Sequence, residues 1–327
     1  MDTPRTPLVI GHRGASGYRP EHTRAAYELA FALGADAVEP DIVATSDGVL
    51  VLRHENEISG TTDVASHPEF ADRRTTKTID GASLTGWFTE DFTWSELKTL
   101  RAIERLPALR QHSASFDGAY PILRLCDLRD IIVDAGHRLG REFVMVAEIK
   151  HATYFESIGL PLDALFAAEV ADWATATNLV VESFEESVLG KLKVRGVAGR
   201  YVYLVDAAGA PADLVAKDGA AAASYAAHLT DDGLAALAKT VDGVSLDKKL
   251  VLDGRAGLVD RIHTAGLIVF TWTLRAENKF LAKTNRGGGA PGDFGNWRAE
   301  FTAIIDTGID GVFADQPDLV RSALEAH

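Results

Sequence analysis

A chain of 327 residues, 46% of them hydrophobic, has enough apolar material for a full core. Its net charge of −14, with no long Lys/Arg run, argues against nucleic acid and anionic membrane surfaces as partners. The single cysteine, Cys126, excludes an intrachain disulfide framework, and no run approaches the ~20 apolar residues of a membrane span, so stable membrane insertion is not expected.

An anionic small-molecule substrate stays compatible with this balance, because one local cationic pocket or a bound metal outweighs a distant negative surface. The first apolar run starts about seven residues in, without a secretory leader. The chain as given is therefore expected to be cytoplasmic, although a trimmed mature form of an exported protein reads the same way. Composition leaves the oligomeric state open.

In chain order, short β-like runs alternate with amphipathic helical runs. Leu8 to Ile10 predicts a strand that ends in Gly11-His12-Arg13-Gly14. A helix follows over Thr23 to Leu33, with Thr23 as N-cap and Ala26, Leu29, Ala30 and Leu33 at helical spacing. Strands are predicted over Ala37 to Ala44 and, after the turn Ser46-Asp47-Gly48, over Val49 to Arg53. From Glu55 to about Tyr120 the rhythm breaks. This polar stretch holds one helical piece, Trp94 to Arg101, and reads as an insertion in a loop of a single 1–327 domain. Alternation resumes with a helix from Leu125 to Leu139, and the next strand is Phe143 to Lys150. The helix Leu160 to Ala174, the strand Leu179 to Phe184 and the helix Glu185 to Val194 come next. They are followed by the strand Tyr201 to Val205, the helix Asp231 to Thr240 and the strand Gly243 to Leu246. A helix over Leu258 to Ala265 stops at Gly266, a C′ glycine. The strand Ile268 to Leu274 precedes a glycine-rich loop. A helix over Arg298 to Thr307, the strand Gly311 to Asp315 and a terminal helix entered through Pro317 complete the chain. About eight strand-then-helix units predict an α/β fold, a closed TIM (β/α)8 barrel with an insertion after the second strand. An open doubly wound sheet is the rival, but no G-x-G-x-x-G follows the first strand.

Chemistry in such folds sits at the carboxyl ends of the strands. His12 and Arg13 place a proton carrier and an obligate cation there. Glu39 and Asp41 flank Pro40 and share a strand face. In an apolar barrel mouth both stay ionised only with a cation between them, though a solvated strand end is the plainer reading of this pair alone. Glu148 and Lys150 repeat the arrangement. A third acid at the same barrel end favours an oxygen-ligand site for one divalent cation, Ca²⁺ or Mg²⁺, with Lys150 as a phosphate-binding charge. His54 supplies a second imidazole, so that one accepts a proton while the other donates. Phe184 and Trp272, at strand ends, either line a substrate pocket or pack the rim. Asp315 reads as a helix-entry cap, and His22 as an unmatched loop histidine.

These residues resemble the glycerophosphodiester phosphodiesterase family, and most closely its bacterial periplasmic-type branch. The resemblance rests on His12-Arg13-Gly14-Ala15-Ser16-Gly17 with Pro20-Glu21-His22-Thr23. It continues through Gly34-Ala35-Asp36, Glu39-x-Asp41, Thr45-x-Asp47-Gly48, His54, Thr61-Thr62-Asp63-Val64, Glu148-Ile149-Lys150, Ser183-Phe184 and Asp315-x-Pro317. It implies a TIM barrel whose insertion caps the mouth, with Glu39, Asp41 and Glu148 holding a divalent cation and Glu21 close to them. It also implies His12 and His54 as the acid/base pair, and Arg13 and Lys150 as a phosphate clamp. The implied substrate is a small glycerophosphodiester, cleaved to an alcohol and sn-glycerol 3-phosphate. A phospholipase D-like lyase and a non-catalytic phosphodiester-binding barrel are the alternatives. Two positions depart from the family pattern: Glu55 stands where an Asp is usual, and Ile58-Ser59-Gly60-Thr61-Thr62 lacks the usual arginine.

Overall fold

The computed structural model describes residues 6–253 and 257–326. Its strands are β1 (Leu8–His12), β2 (Ala37–Glu39), β3 (Asp41–Ala44), β4 (Leu50–Leu52), β5 (Thr75–Ile79) and β6 (Ala82–Gly86) in the first third of the chain. They continue as β7 (Val144–Ile149), β8 (Leu179–Ser183), β9 (Arg200–Val205), β10 (Gly243–Asp247), β11 (Ile268–Leu274) and β12 (Gly311–Ala314). The sheet runs β2-β1-β12-β11-β10-β9-β8-β7-β3-β4, and pairing of β2 with β7 closes it. This is a parallel TIM barrel in which β2 and β3 together form the second stave. Pro40, which lacks an N–H for the ladder, separates the two pieces. β4 folds back antiparallel on β3, pairing Val43 with Val51.

The barrel interior explains where the chemistry sits. Ile10, Ala37, Val146, Val180, Val202, Phe270 and Phe313 pack together as an apolar plug. Side chains on a strand alternate faces, so the residue two positions onward from each plug member also points inward. Those residues are His12, Glu39, Glu148, Glu182, Leu204, Trp272 and Asp315. The plug seals the barrel from below, and a largely ionisable layer stands at its C-terminal mouth. A second, larger apolar cluster fills the space between barrel and helices. The helix Leu125–Leu139 contributes Leu128, Ile131, Ile132 and Ala135 to it and ends at Gly140, whose φ of 66° suits glycine.

Residues 55–120 hold more structure than their weak periodicity predicts. Besides the helix Trp94–Leu97 there are a hairpin of β5 and β6 and the short helix Gln111–Ala114. Other short helices, Ala152–Ser157, Ala212–Asp218, Tyr225–His228 and Lys248–Leu252, were also not legible as periodic runs. Tyr225–His228 and Lys248–Leu252 span little more than one turn, and Ala212–Asp218 buries no residue, so it has no apolar face to read.

Candidate active site

The turn after β1 is unusual backbone. Arg13 and His22 have φ of 59° and 57°, a left-handed conformation that residues with a Cβ rarely adopt. Gly14, at φ 85°, lies against the following helix; a Cβ there would meet the Ala26 carbonyl carbon at 2.6 Å. Thr23 caps that helix as expected, accepting from the Ala26 amide at 3.2 Å. The turn aims Arg13 into the mouth, and its amide donates to Glu39 Oε2 at 3.0 Å.

His12 and His54 line one cavity of about 840 Å³. His12 Nδ1 lies 2.6 Å from Asp315 Oδ1, while Nε2 is 3.5 Å from Thr273 Oγ1 and 3.9 Å from Glu39 Oε2. Asp315 is thus more than a helix-entry residue: it holds the catalytic candidate from the far end of the chain. His54 Nδ1 is bonded in the same way to Glu55. Each imidazole therefore has Nδ1 occupied by a carboxylate, which leaves Nε2 for chemistry. Burial, with Arg13 next, lowers His12 to about 4. Burial, Arg13 and Lys150 lower His54 to about 3. Both rings are neutral near pH 7 in this state.

The acids sit beside them. Carboxylate oxygens of Glu39, Glu148 and Glu182 lie within 4.8 Å of one another, all buried. Glu182 is absent from the sequence-derived set, yet it is 1% exposed and its Oε2 has no hydrogen-bond partner among the described residues. Burial and the neighbouring carboxylates push Glu39 and Glu182 well above the usual carboxylate range. Burial, with the Asp41 charge adding to it against the pull of Lys150, lifts Glu148 to about 8. Asp41 stands to one side. Its Oδ2 accepts from His22 Nε2 at 2.9 Å and is 3.1 Å from Arg13 Nε, whereas Oδ1 is unbonded and 3.9 Å from Lys150 Nζ. His54, Lys150 and Arg13 overcome its burial and hold it well below the usual range. His22, buried between Asp41 and the Tyr27 hydroxyl, is a structural partner and not an unmatched histidine. Lys150 Nζ donates to Glu148 Oε1 at 2.8 Å. Four carboxylates thus share two cations, Arg13 and Lys150.

Two arginines of the 55–120 stretch bind this centre, and neither was foreseen. Arg105 donates to both Glu21 oxygens at 2.7 Å and to Glu55, and Glu21 also accepts from Arg13 Nη1 at 3.0 Å. Arg110 donates to Glu277 Oε1 at 2.7 Å, to the Ser16 carbonyl at 3.0 Å and to Asp315. Replacing Arg110 by Ala leaves Glu277 and Asp315 as buried acids short of a partner. Chemical denaturation is expected to show a loss of about 3–5 kcal/mol. Asp315 is held below the ordinary Asp value by Arg275, Arg110 and His12, and Glu55 below the ordinary Glu value by His54 and Arg105. Their stabilising contribution is complete above about pH 4–5 and is lost as pH falls through the lowered native values. Between about pH 5 and 3, thermal melts should fall less in Arg110→Ala than in wild type, because Asp315 has then lost one of the cations that lower it. Equal stability of wild type and variant contradicts both expectations.

Phe184 and Trp272, both half-buried, form the aromatic wall, edge to face with centroids 5.6 Å apart.

A model of the Glycerophosphoryl diester phosphodiesterase family matches residues 12–319. Glycerophosphodiester phosphodiesterase GDPD6 of Arabidopsis thaliana is 30% identical, over 94% of this chain and 83% of its own. Among solved structures, an Oleispira antarctica phosphodiesterase in complex with the product sn-glycerol-3-phosphate superposes with a TM-score of 0.63 at 21% identity, covering 98% of this chain and 97% of that one. A glycerophosphodiester phosphodiesterase from Agrobacterium tumefaciens gives 0.58 at 19% identity, covering 97% and 99%. Both structures have the same fold.

Proposed function

The chain belongs to the glycerophosphoryl diester phosphodiesterase family, and we propose that it cleaves glycerophosphodiesters to an alcohol and sn-glycerol 3-phosphate with His12 and His54 as the proton-transfer pair. The observation that carries this reading is that two Nδ1-anchored imidazoles line one cavity together with Arg13 and a cluster of buried acids. The binding of sn-glycerol 3-phosphate by the Oleispira relative agrees with it.

The donor set fits a divalent cation. Three hard carboxylates, Glu39, Glu148 and Glu182, converge with Asp41 beside them, and two oxygens of the four, Asp41 Oδ1 and Glu182 Oε2, have no hydrogen-bond partner among the described residues. Glu39, Asp41, Glu148 and Glu182 would hold Ca²⁺ or Mg²⁺. When bound, the ion neutralises phosphate charge and polarises the phosphoryl group.

The chain's own residues do the remainder. Arg13 and Lys150 orient the phosphate oxygens, with Glu21 and Arg105 fixing the Arg13 guanidinium. The Asp315 and Glu55 carboxylates hold each histidine with its proton on Nδ1, so that Nε2 presents a lone pair. One Nε2 accepts the nucleophile's proton. The other histidine, protonated as the phosphate anion enters, donates to the departing alkoxide. Phe184 and Trp272 shape the apolar side of the pocket, and residues 55–120 cap it. The test is release of sn-glycerol 3-phosphate from glycerophosphocholine or glycerophosphoethanolamine, abolished by a chelator and restored by Ca²⁺ or Mg²⁺. Undiminished release in chelator contradicts the metal; no release from any diester contradicts the hydrolase.

A further inference from the structure

The cavity wall away from the acids is cationic, although the chain carries a net charge of −14. Six basic residues line it, from the segment after β10 and the loop after β11, against the acids Asp247 and Asp253. Three of the six are committed within the protein. Lys248 Nζ donates to Glu300 Oε1 at 2.8 Å and the Phe280 carbonyl at 2.9 Å, Arg275 Nε donates to Asp315 at 2.8 Å, and Lys249 lies 3.9 Å from Asp247. The others face the cavity with capacity to spare. Lys279 and Lys283 are exposed and have no side-chain partner among the described residues, while Arg286 donates only to the Leu281 carbonyl, at 2.9 Å.

A cationic headgroup would need open aromatic faces. Two of the faces lining this cavity already have resident cations, and Trp272, which has none among the described residues, packs edge to face on Phe184 with centroids 5.6 Å apart. Lys150 Nζ is 5.8 Å from the Phe184 centroid, and the Arg275 guanidinium is 4.6 Å from that of Phe280. We infer that this wall is a subsite for a negatively charged alcohol moiety, so that the preferred diester carries a second phosphate bound by Lys279, Lys283 and Arg286. The inference rests on the phosphodiesterase reading above. An 840 Å³ cavity has room for a headgroup beyond the scissile phosphate and glycerol, and the local field draws a polyanion toward the mouth.

The test compares kcat/KM for glycerophosphoinositol 4-phosphate, glycerophosphoinositol and glycerophosphocholine at low and high salt. The phosphorylated diester should lead by about 5-fold or more at low salt, with the lead shrinking as salt rises. The double variant Lys279→Gln/Lys283→Gln should cut that lead through KM, with kcat held. Turnover without a charge preference, a preference for glycerophosphocholine, or a ratio unmoved by the double variant overturns the inference. Calorimetric binding of the phosphorylated diester to His12→Ala protein, with and without the two lysines, reads the subsite separately from catalysis. Lysine-dependent binding without wild-type turnover keeps the subsite and removes the phosphodiesterase reading, whereas turnover with lysine-independent binding does the reverse.

Discussion

Replacing His12 or His54 by Ala lowers kcat by about 10²–10⁴-fold, each alone, with the melting temperature nearly unchanged. The reason is that both rings line one cavity. Each imidazole has its Nδ1 bound to a carboxylate, at 2.6 Å for His12 and Asp315, and each lines the space that a phosphodiester would occupy. If one ring accepts a proton and the other donates one, losing either removes a complete proton transfer. The double variant is then expected to be little worse than either single one, as for residues that act as a unit. Asp315→Asn sharpens the expectation, because an amide at that position favours the wrong His12 tautomer. It should depress kcat while leaving substrate KM near wild type. Steady-state kinetics on glycerophosphoethanolamine read all four variants. Near-normal turnover in either single histidine variant would falsify the pairing.

The second large effect concerns the acids. Glu39→Gln and Glu148→Gln are each expected to weaken Ca²⁺ or Mg²⁺ binding by more than about 100-fold, as measured by titration calorimetry of metal-free protein. Wild type should gain about 2–3 kcal/mol of stability at a metal concentration 100 times the Kd, and the variants should lose that gain. Glu182→Gln and Asp41→Asn divide the remaining donors. Asp41 already accepts from His22, whereas Glu182 Oε2 has no partner among the described residues. If Glu182 completes the shell, its variant loses affinity as Glu148→Gln does. Unchanged affinity in Glu182→Gln, with loss in Asp41→Asn, would assign Glu182 as a buried neutral acid.

Much of this site was legible because a parallel barrel carries its chemistry at strand ends, and strand ends show in the sequence. His12, Glu39 and Glu148 each follow an apolar run, and all three meet in the mouth layer. Glu182 is hard to read from the sequence for a definable reason. It lies between Val181 and Ser183 in a run that reads as ordinary strand. Its signal is its place two residues beyond Val180, matching Glu148 beyond Val146, and the β7–β8 register pairs Glu148 with Glu182. The contact of Asp315 with His12 is invisible to local rules, because the two residues are 303 positions apart and the local pattern shows only the helix that follows. Arg105 and Arg110 belong to a stretch without period, where no pattern tells an anchoring arginine from a solvated one. Asp41 shares a strand face with Glu39 in the sequence reading. Pro40 splits that strand, and one Asp41 oxygen accepts from His22.

The most direct test of the account is hydrolysis of glycerophosphocholine in ¹⁸O-labelled water, with the products weighed by mass spectrometry. Proton transfer by His12 and His54 around a clamped phosphate breaks the phosphorus–oxygen bond, so one ¹⁸O is expected in sn-glycerol 3-phosphate and none in choline. Label in choline, or cyclic phosphate accumulating without label, would contradict it.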